Sequence, residues 1–399
     1  MPTRRQLLQS MAAGAALTAS PVSIGPALAA STEKRLAVVL LRGGMDGLAA
    51  VAPYGDPAYR RQRGDLALPV PGDDNGVIDL DGYFGLHPAL KPLQLFFDRG
   101  ELAFAHAVGI PYRNRSHFDA QNVLENGADT PHSTEDGWLN RVVAALGESH
   151  VPLGLSVGPS VPLIMRGDGR YTTYAPQILP VAGTDFLARI EMMYQQDPVL
   201  AKIFAEAQRA KAMKAEVLGP GMGRIGGDAY FKEAFGAAGK LLADPSGPRV
   251  AILDTDGWDT HAYQGTTAGS LASQFSNLSI GLEQLHNGLG ARWTDTVVLV
   301  LTEFGRTAAI NGTNGTDHGS GSLAMVLGGA VRGGRMVTPW PGIEARHLFD
   351  GRDLAPTTDV RALVKGVLRD HLMIAEGQLD DHIFPDSRRA TAIPGLIST

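Results

Sequence analysis

Val250-Ala251-Ile252-Leu253-Asp254-Thr255-Asp256-Gly257-Trp258-Asp259-Thr260-His261, then Leu271, Phe275, Leu278, Leu282 and Leu285, then Thr296-Val297-Val298-Leu299-Val300-Leu301-Thr302-Glu303: this stretch decides the fold. The two unbroken apolar runs predict strands covered on both faces, and the alternating four- and three-residue spacing between them predicts an amphipathic helix. Asn287-Gly288 is the expected stop of that helix. Strand, helix, strand in this order is a βαβ unit, which closes parallel and right-handed. A third apolar run, Leu36 to Leu41, enters Gly43-Gly44-Met45-Asp46-Gly47. In an open parallel sheet the loops leaving the carboxyl ends of the strands share one crevice. Here those loops carry Asp46, the acidic trio Asp254, Asp256 and Asp259 with His261, and Glu303 followed by Asp317-His318. Converging carboxylates and imidazoles suit a divalent ion, because their oxygens and nitrogens replace its lost hydration.

The bulk composition allows this. The chain has 399 residues, 44% hydrophobic and 19% charged, enough for a large core. A net charge of −6, and no Cys, argue against nucleic-acid partners, disulfides, thiolate metal sites and a Cys nucleophile. Residues 1–29 read as an export signal. Arg4-Arg5 precedes Leu7-Leu8, a weakly apolar stretch follows, and Ala27-Leu28-Ala29 has the form of a cleavage site. The paired arginines predict engagement of the twin-arginine translocase, a periplasmic or secreted protein, and no stable membrane span after cleavage. Residues 30–399 read as one α/β domain, with 184–245 as a helical insertion or cap in which Asp197-Pro198 restarts the helix. Residues 53–90 read as a long loop, and His117 to Asn126 as a helix ended by Gly127.

Each candidate residue has a plain structural reading beside the functional one. Asp317-His318 lies in a glycine-rich loop and could be a solvated turn. Asp259 and His261, two apart in extended chain, can face the same side, and which of Asp254, Asp256 and Asp259 is the ligand stays open. Glu303 directly follows its strand; buried there, it needs a cation, and Arg306 could supply one as a simple ion pair. Ser116 with Asp119 three residues later has the form of a capping box. The same place, a hydroxyl at a helix N-terminus beside Arg115, suits a nucleophile attacking an anion. Gly221 to Gly226 matches a dinucleotide pattern without its strand–helix context. Gly154-Leu155-Ser156-Val157-Gly158 matches a nucleophile elbow, but prolines follow where a helix must start, so a Ser156 esterase is a minor reading.

Five motifs in order, Gly43-Gly44-Met45-Asp46-Gly47, Arg115 to Gln121, Gly257-Trp258-Asp259-Thr260-His261, Thr302-Glu303-Phe304-Gly305-Arg306 and Thr316-Asp317-His318-Gly319, resemble an exported bacterial family, domain of unknown function 1501. That family is grouped with the alkaline phosphatase and sulfatase superfamily. The resemblance implies an alkaline-phosphatase-like α/β fold, a mostly parallel central sheet flanked by helices. It implies Asp46, Asp259, His261, Glu303, Asp317 and His318 around one or two divalent ions of Zn, Mg, Mn or Ca, with His347 a loose match to a late histidine ligand. It also implies Ser116 as nucleophile and Arg115 and Arg306 as holders of a small anionic ester. The superfamily places its Asp-His pair directly after the strand that here ends in Glu303-Phe304, whereas Asp317-His318 comes later. The expected activity is hydrolysis of phosphate or sulfate esters; the alternative is a non-enzymatic periplasmic binding or assembly protein on the same fold.

Overall fold

The structure, a computed structural model, describes residues 34–147, 149–176, 184–218 and 227–398. The export signal and the Gly221–Gly226 pattern lie outside these residues. At the centre is β1 (Arg35–Leu41), buried at every position. It lies between β5 (Val250–Thr255) and β6 (Thr296–Leu301), parallel to both, with Leu36 opposite Val250 and Val297. Outward from β5 come β3 (Gly154–Val157) and β4 (Tyr171–Tyr174), also parallel. Outward from β6 come β7 (Ser322–Leu327), β2 (Leu102–Gly109) and β8 (Arg335–Met336), with β9 (Thr358–Asp359) also on β2. Only β7 runs against its neighbours among these strands. The result is a mixed, mostly parallel sheet flanked by helices.

The strand period of two sorts β1 between two apolar layers. Leu36, Val38 and Leu40 face a core with α1 (His117–Asn126), α2 (Trp138–Ala145) and α7 (Val360–Leu372), through Val123, Val142, Leu363 and Val367. Ala37, Val39 and Leu41 face the other, with α5 (Gly227–Ala243) and α6 (Ser270–Leu289), through Phe235, Leu242, Phe275 and Leu282. Helix α5 is thus a flanking helix of the core, so this part of the 184–245 segment is not an insertion. Helices α3 (Thr184–Tyr194) and α4 (Pro198–Leu218) instead expose Met192, Met193, Val199 and Ile203. The break at Pro198 falls where the sequence puts it.

Two other expectations change. Helix α6 does not stop at Asn287-Gly288; it runs to Leu289 and closes at Gly290, whose φ is 53°. Gly288 lies instead at the crossing with α5, where a Cβ would fall 2.6 Å from the Gly236 carbonyl oxygen. The missing side chain serves packing, not capping. The 53–90 segment holds a short helix, Tyr59–Arg63, and Ile78–Asp79 and Gly85–Leu86 pair with Val51–Ala52 in a small sheet. Its function is visible at one residue: fully buried Arg63 reaches back to Asp46.

Ser156 lies inside β3, 1% exposed, and only a single turn, Leu163–Met165, follows. An elbow needs a strand turning straight into a helix, so the esterase reading fails on geometry. No helix among the described residues is long and apolar enough to cross a membrane.

Candidate metal centre

Three loops meet at the carboxyl end of the sheet. The first leaves β2 and enters α1, the second leaves β5, and the third joins β6 to β7. Because β7 is antiparallel, the third loop both leaves and returns at this end. Asp317 and His318, sixteen and seventeen positions past β6, therefore still reach the crevice. An antiparallel bridge between Arg306 and His318 folds the loop on itself. Gly305 permits it: a Cβ there would lie inside the Gly321 carbonyl. The Thr316 N–H donates to the Thr260 carbonyl at 3.1 Å and ties the third loop to the second.

Side chains of His117, Asp259 and His318 each offer a ligand atom within 4.8 Å of the others, and this is the one such cluster among the described residues. Nε2 of His117 lies 3.4 Å from Asp259 Oδ2, and Nε2 of His318 lies 3.3 Å from Oδ1. His261 joins them, its Nε2 being 3.0 Å from Asp259 Oδ1 and 2.9 Å from Nε2 of His318. Phe304 packs beneath the His117 and His318 rings, with centroids at 4.8 and 4.9 Å.

The outward-facing nitrogens are all spoken for by oxygens. Nδ1 of His117 meets Glu303 Oε1 at 2.8 Å, Nδ1 of His318 the Arg115 carbonyl at 2.9 Å, and Nδ1 of His261 Asp317 Oδ1 at 3.2 Å. A carbonyl or ionised carboxylate only accepts, so each Nδ1 carries the proton and each Nε2 turns a lone pair inward. Two such lone pairs 2.9 Å apart repel unless a cation lies between them. Nε2 of His117 is buried with no hydrogen-bond partner at all. The donor set and this orphaned atom fit a divalent ion. The hydrogen bond from Nδ1 to Glu303 raises His117 above the ordinary histidine value, burial opposing and Asp259 assisting.

Asp259 is held for this role. Burial pushes its carboxyl up, but the hydrogen bond and charge of Arg306 and the adjacent imidazoles hold it below the usual carboxylate range. Arg306 is fully committed. It donates to Asp259 Oδ1 at 2.6 Å, Thr316 Oγ1 at 3.1 Å, the Gly43 carbonyl at 3.3 Å and the Thr316 carbonyl.

Several expected roles change accordingly. Arg306 clamps a carboxylate and is not a substrate-holding cation. Arg115, at φ 58°, turns its guanidinium away to Asp353 at 2.7 Å and Asp350 at 2.8 Å, leaving its carbonyl to His318. Asp46 caps the helical turn Gly47–Ala50 and accepts from Arg63 at 2.5 Å and Gln264 at 2.7 Å. Both its oxygens are engaged and it lies outside the cluster. Glu303 accepts from Gly43 N, His117 Nδ1, Gln121 Nε2 and Thr302 Oγ1, and stands behind His117. Asp317 accepts from His261 and from Asn311 at 3.0 Å, behind His261. Asp254 pairs with Arg42, and of the acidic trio Asp259 is the one in the cluster. His347 lies on the turn Ala345–His347 beside Gly342 and is not a member of the cluster. Ser116 has the extended backbone of a cap but its hydroxyl makes no capping bond, so the capping-box reading does not hold.

The sequence reading misses His117. It opens α1 directly after Ser116, and the Ser-x-x-Asp pattern drew attention to its neighbours.

The family model described as "Protein of unknown function (DUF1501)" matches residues 105–382, which span every ligand of the cluster. The chain belongs to the DUF1501 family. No curated protein matches it in sequence. Among solved structures, this DUF1501 chain is similar to Ps i-CgsB, with 11% identity over 90% of this chain and 77% of that one, at a TM-score of 0.43. It is also similar to the lipoteichoic acid synthase LtaP from Listeria monocytogenes, with 10% identity over 89% and 76%, at 0.38. A third is phosphonoacetate hydrolase from Sinorhizobium meliloti 1021, with 16% identity over 68% and 56%, at 0.30. The DUF1501 chain has a mixed, mostly parallel sheet flanked by helices.

Proposed function

We propose that this chain is an exported, metal-dependent hydrolase of phosphate or sulfate esters with Ser116 as its nucleophile. One observation carries the reading. The imidazole–carboxylate cluster lies against the first turn of α1, whose opening residue supplies a ligand and whose preceding residue, Ser116, has a hydroxyl without a capping bond. The N–H groups of that turn have no intrahelical acceptors and favour an anion. A bound divalent ion would neutralise charge on the ester oxygens and favour the ionised form of a nearby hydroxyl. Ser116 Oγ would form the new bond to phosphorus or sulfur as the ester oxygen departs with the alcohol. Water would then release the inorganic anion and restore the hydroxyl.

Metal-loaded protein should therefore hydrolyse an aryl phosphate, an aryl phosphodiester or an aryl sulfate, and Ser116→Ala should lose at least a hundredfold in kcat with its melting temperature nearly unchanged. Equal rates in wild type and Ser116→Ala would remove the nucleophile. The competing reading, a binding or assembly protein carrying one ion, is favoured by the commitment of Arg115 and Arg306 to carboxylates. It would be chosen by metal binding without hydrolysis of any of the three esters.

Export follows from Arg4 and Arg5. Changing both to Lys should keep the precursor in the cytoplasm, as seen by fractionation and immunoblot. An unchanged periplasmic yield would replace the twin-arginine route with a general secretory one.

A further inference from the structure

We infer that the centre takes one zinc-class transition ion, on Nε2 of His117, His261 and His318 and the Asp259 carboxylate, and that Glu303 and Asp317 are positioning residues that fix the ligating tautomers. This rests on the metal-binding part of the reading above and not on its ester chemistry.

His117, Asp259 and His318 cluster, His261 Nε2 lies against Asp259 and His318, and the number of these groups matches tetrahedral coordination. Three imidazole nitrogens with one carboxylate suit zinc, copper, iron or nickel; magnesium and calcium take oxygen-rich sets. The groups behind the ligands complete the assignment. A ligating histidine commonly donates its other ring N–H to a carboxylate or carbonyl, which fixes the ring and strengthens the nitrogen facing the ion. All three histidines do so here, two to carboxylates and one to a backbone carbonyl. Glu303 is itself fixed: it is 1% exposed, and Gly43 N, Gln121 and Thr302 hold its oxygens. The Asp259 carboxylate is anchored in the same way by buried Arg306. Among the described residues Asp46, the expected ligand of a second cation, accepts from Arg63 and Gln264 and lies outside the cluster.

The test uses the full mature chain stripped with a chelator and titrated with zinc against a competing chromogenic chelator. Wild type should bind one zinc per chain, and a thousandfold excess of magnesium should not displace it. Glu303→Ala and Asp317→Ala should each weaken zinc about 10–100-fold. Glu303→Gln and Asp317→Asn should recover most of that loss, because an amide oxygen still accepts from Nδ1–H. Cobalt titrated in place of zinc should give the intense visible absorption of a four-coordinate site, altered in the Ala variants.

Unchanged zinc affinity in both Ala variants overturns the positioning role, even if the metal-free proteins melt earlier. So does an amide variant as weak as its Ala counterpart, which would make the carboxylate a direct ligand. If Glu303→Ala does not fold, the half-exposed Asp317 still decides the matter. Failure of wild type to bind zinc sinks the centre itself, whereas zinc binding without ester hydrolysis sinks only the proposed activity.

Discussion

Asp46→Ala should strip the protein of a large part of its stability while leaving its metal content unchanged. The carboxylate is 1% exposed and its partner Arg63 is fully buried. Removing one member of such a pair strands a charge in the interior, which costs about 3–5 kcal/mol. The same carboxylate accepts from Leu48 N and Ala49 N, and losing that cap adds about 1 kcal/mol. Against the 5–15 kcal/mol by which domains are usually stable, this is a severe lesion. Urea titration of wild type and variant, both metal-free, measures it, with metal content determined in parallel. A variant of near-normal stability that has lost its ion would show that Asp46 is a ligand after all.

Mild acid should destabilise the fold through two histidines far from any ligand role. His106 and His371 are each 1% exposed, and burial pushes each down to about 4, opposed by a backbone carbonyl at Nε2 and more weakly by the charge of Asp46 on His106 and of Asp295 on His371. Nδ1 of each has no partner, so protonation would place an unsatisfied N–H in apolar surroundings. His106 sits between Phe84 and Trp340. Above the unfolded value of about 6.5, both states hold neutral imidazole and the stability is fully present. Between there and about 4 the unfolded chain binds protons that the folded chain refuses, so stability falls with pH. Below about 4 the loss is complete, at roughly 3 kcal/mol per histidine. Unfolding free energies at pH 7.5 and 4.5 measure this. His371→Gln, at the opposite end of the sheet from the metal centre, should flatten the profile by about half of the two-histidine effect. A profile unmoved by that change would assign the acid sensitivity elsewhere.

The sheet was legible because its strands are unbroken apolar runs with one helix between two of them, and buried parallel strands leave that mark. Helix α1 was legible down to its Gly127 stop, since a left-handed terminal glycine is a local signal. What stayed hidden was non-local. That Gly288 permits a helix crossing depends on α5, which faces it only in the fold. That Asp46, Glu303, Arg115 and Arg306 are already engaged depends on partners 17 to 260 residues away. Sequence showed which groups arrive at the crevice; it could not show which of their lone pairs remain free on arrival. His117 was overlooked for the same reason, since nothing around it in the chain foretells an empty nitrogen facing Asp259.

The return of the third loop through antiparallel β7 also sets an order of assembly. The clustered side chains come from positions 117, 259 and 318, with His261 beside them, and His318 lies in the loop that antiparallel β7 returns to the sheet between β2 and β6. A nascent chain that has not yet emerged past residue 327 cannot close the shell around an ion, however well its first half has folded. If the centre binds an ion, its capture would certify that β7 is in place between β2 and β6. In a cell that tests cargo for completion before moving it, the centre would double as a seal on the finished molecule.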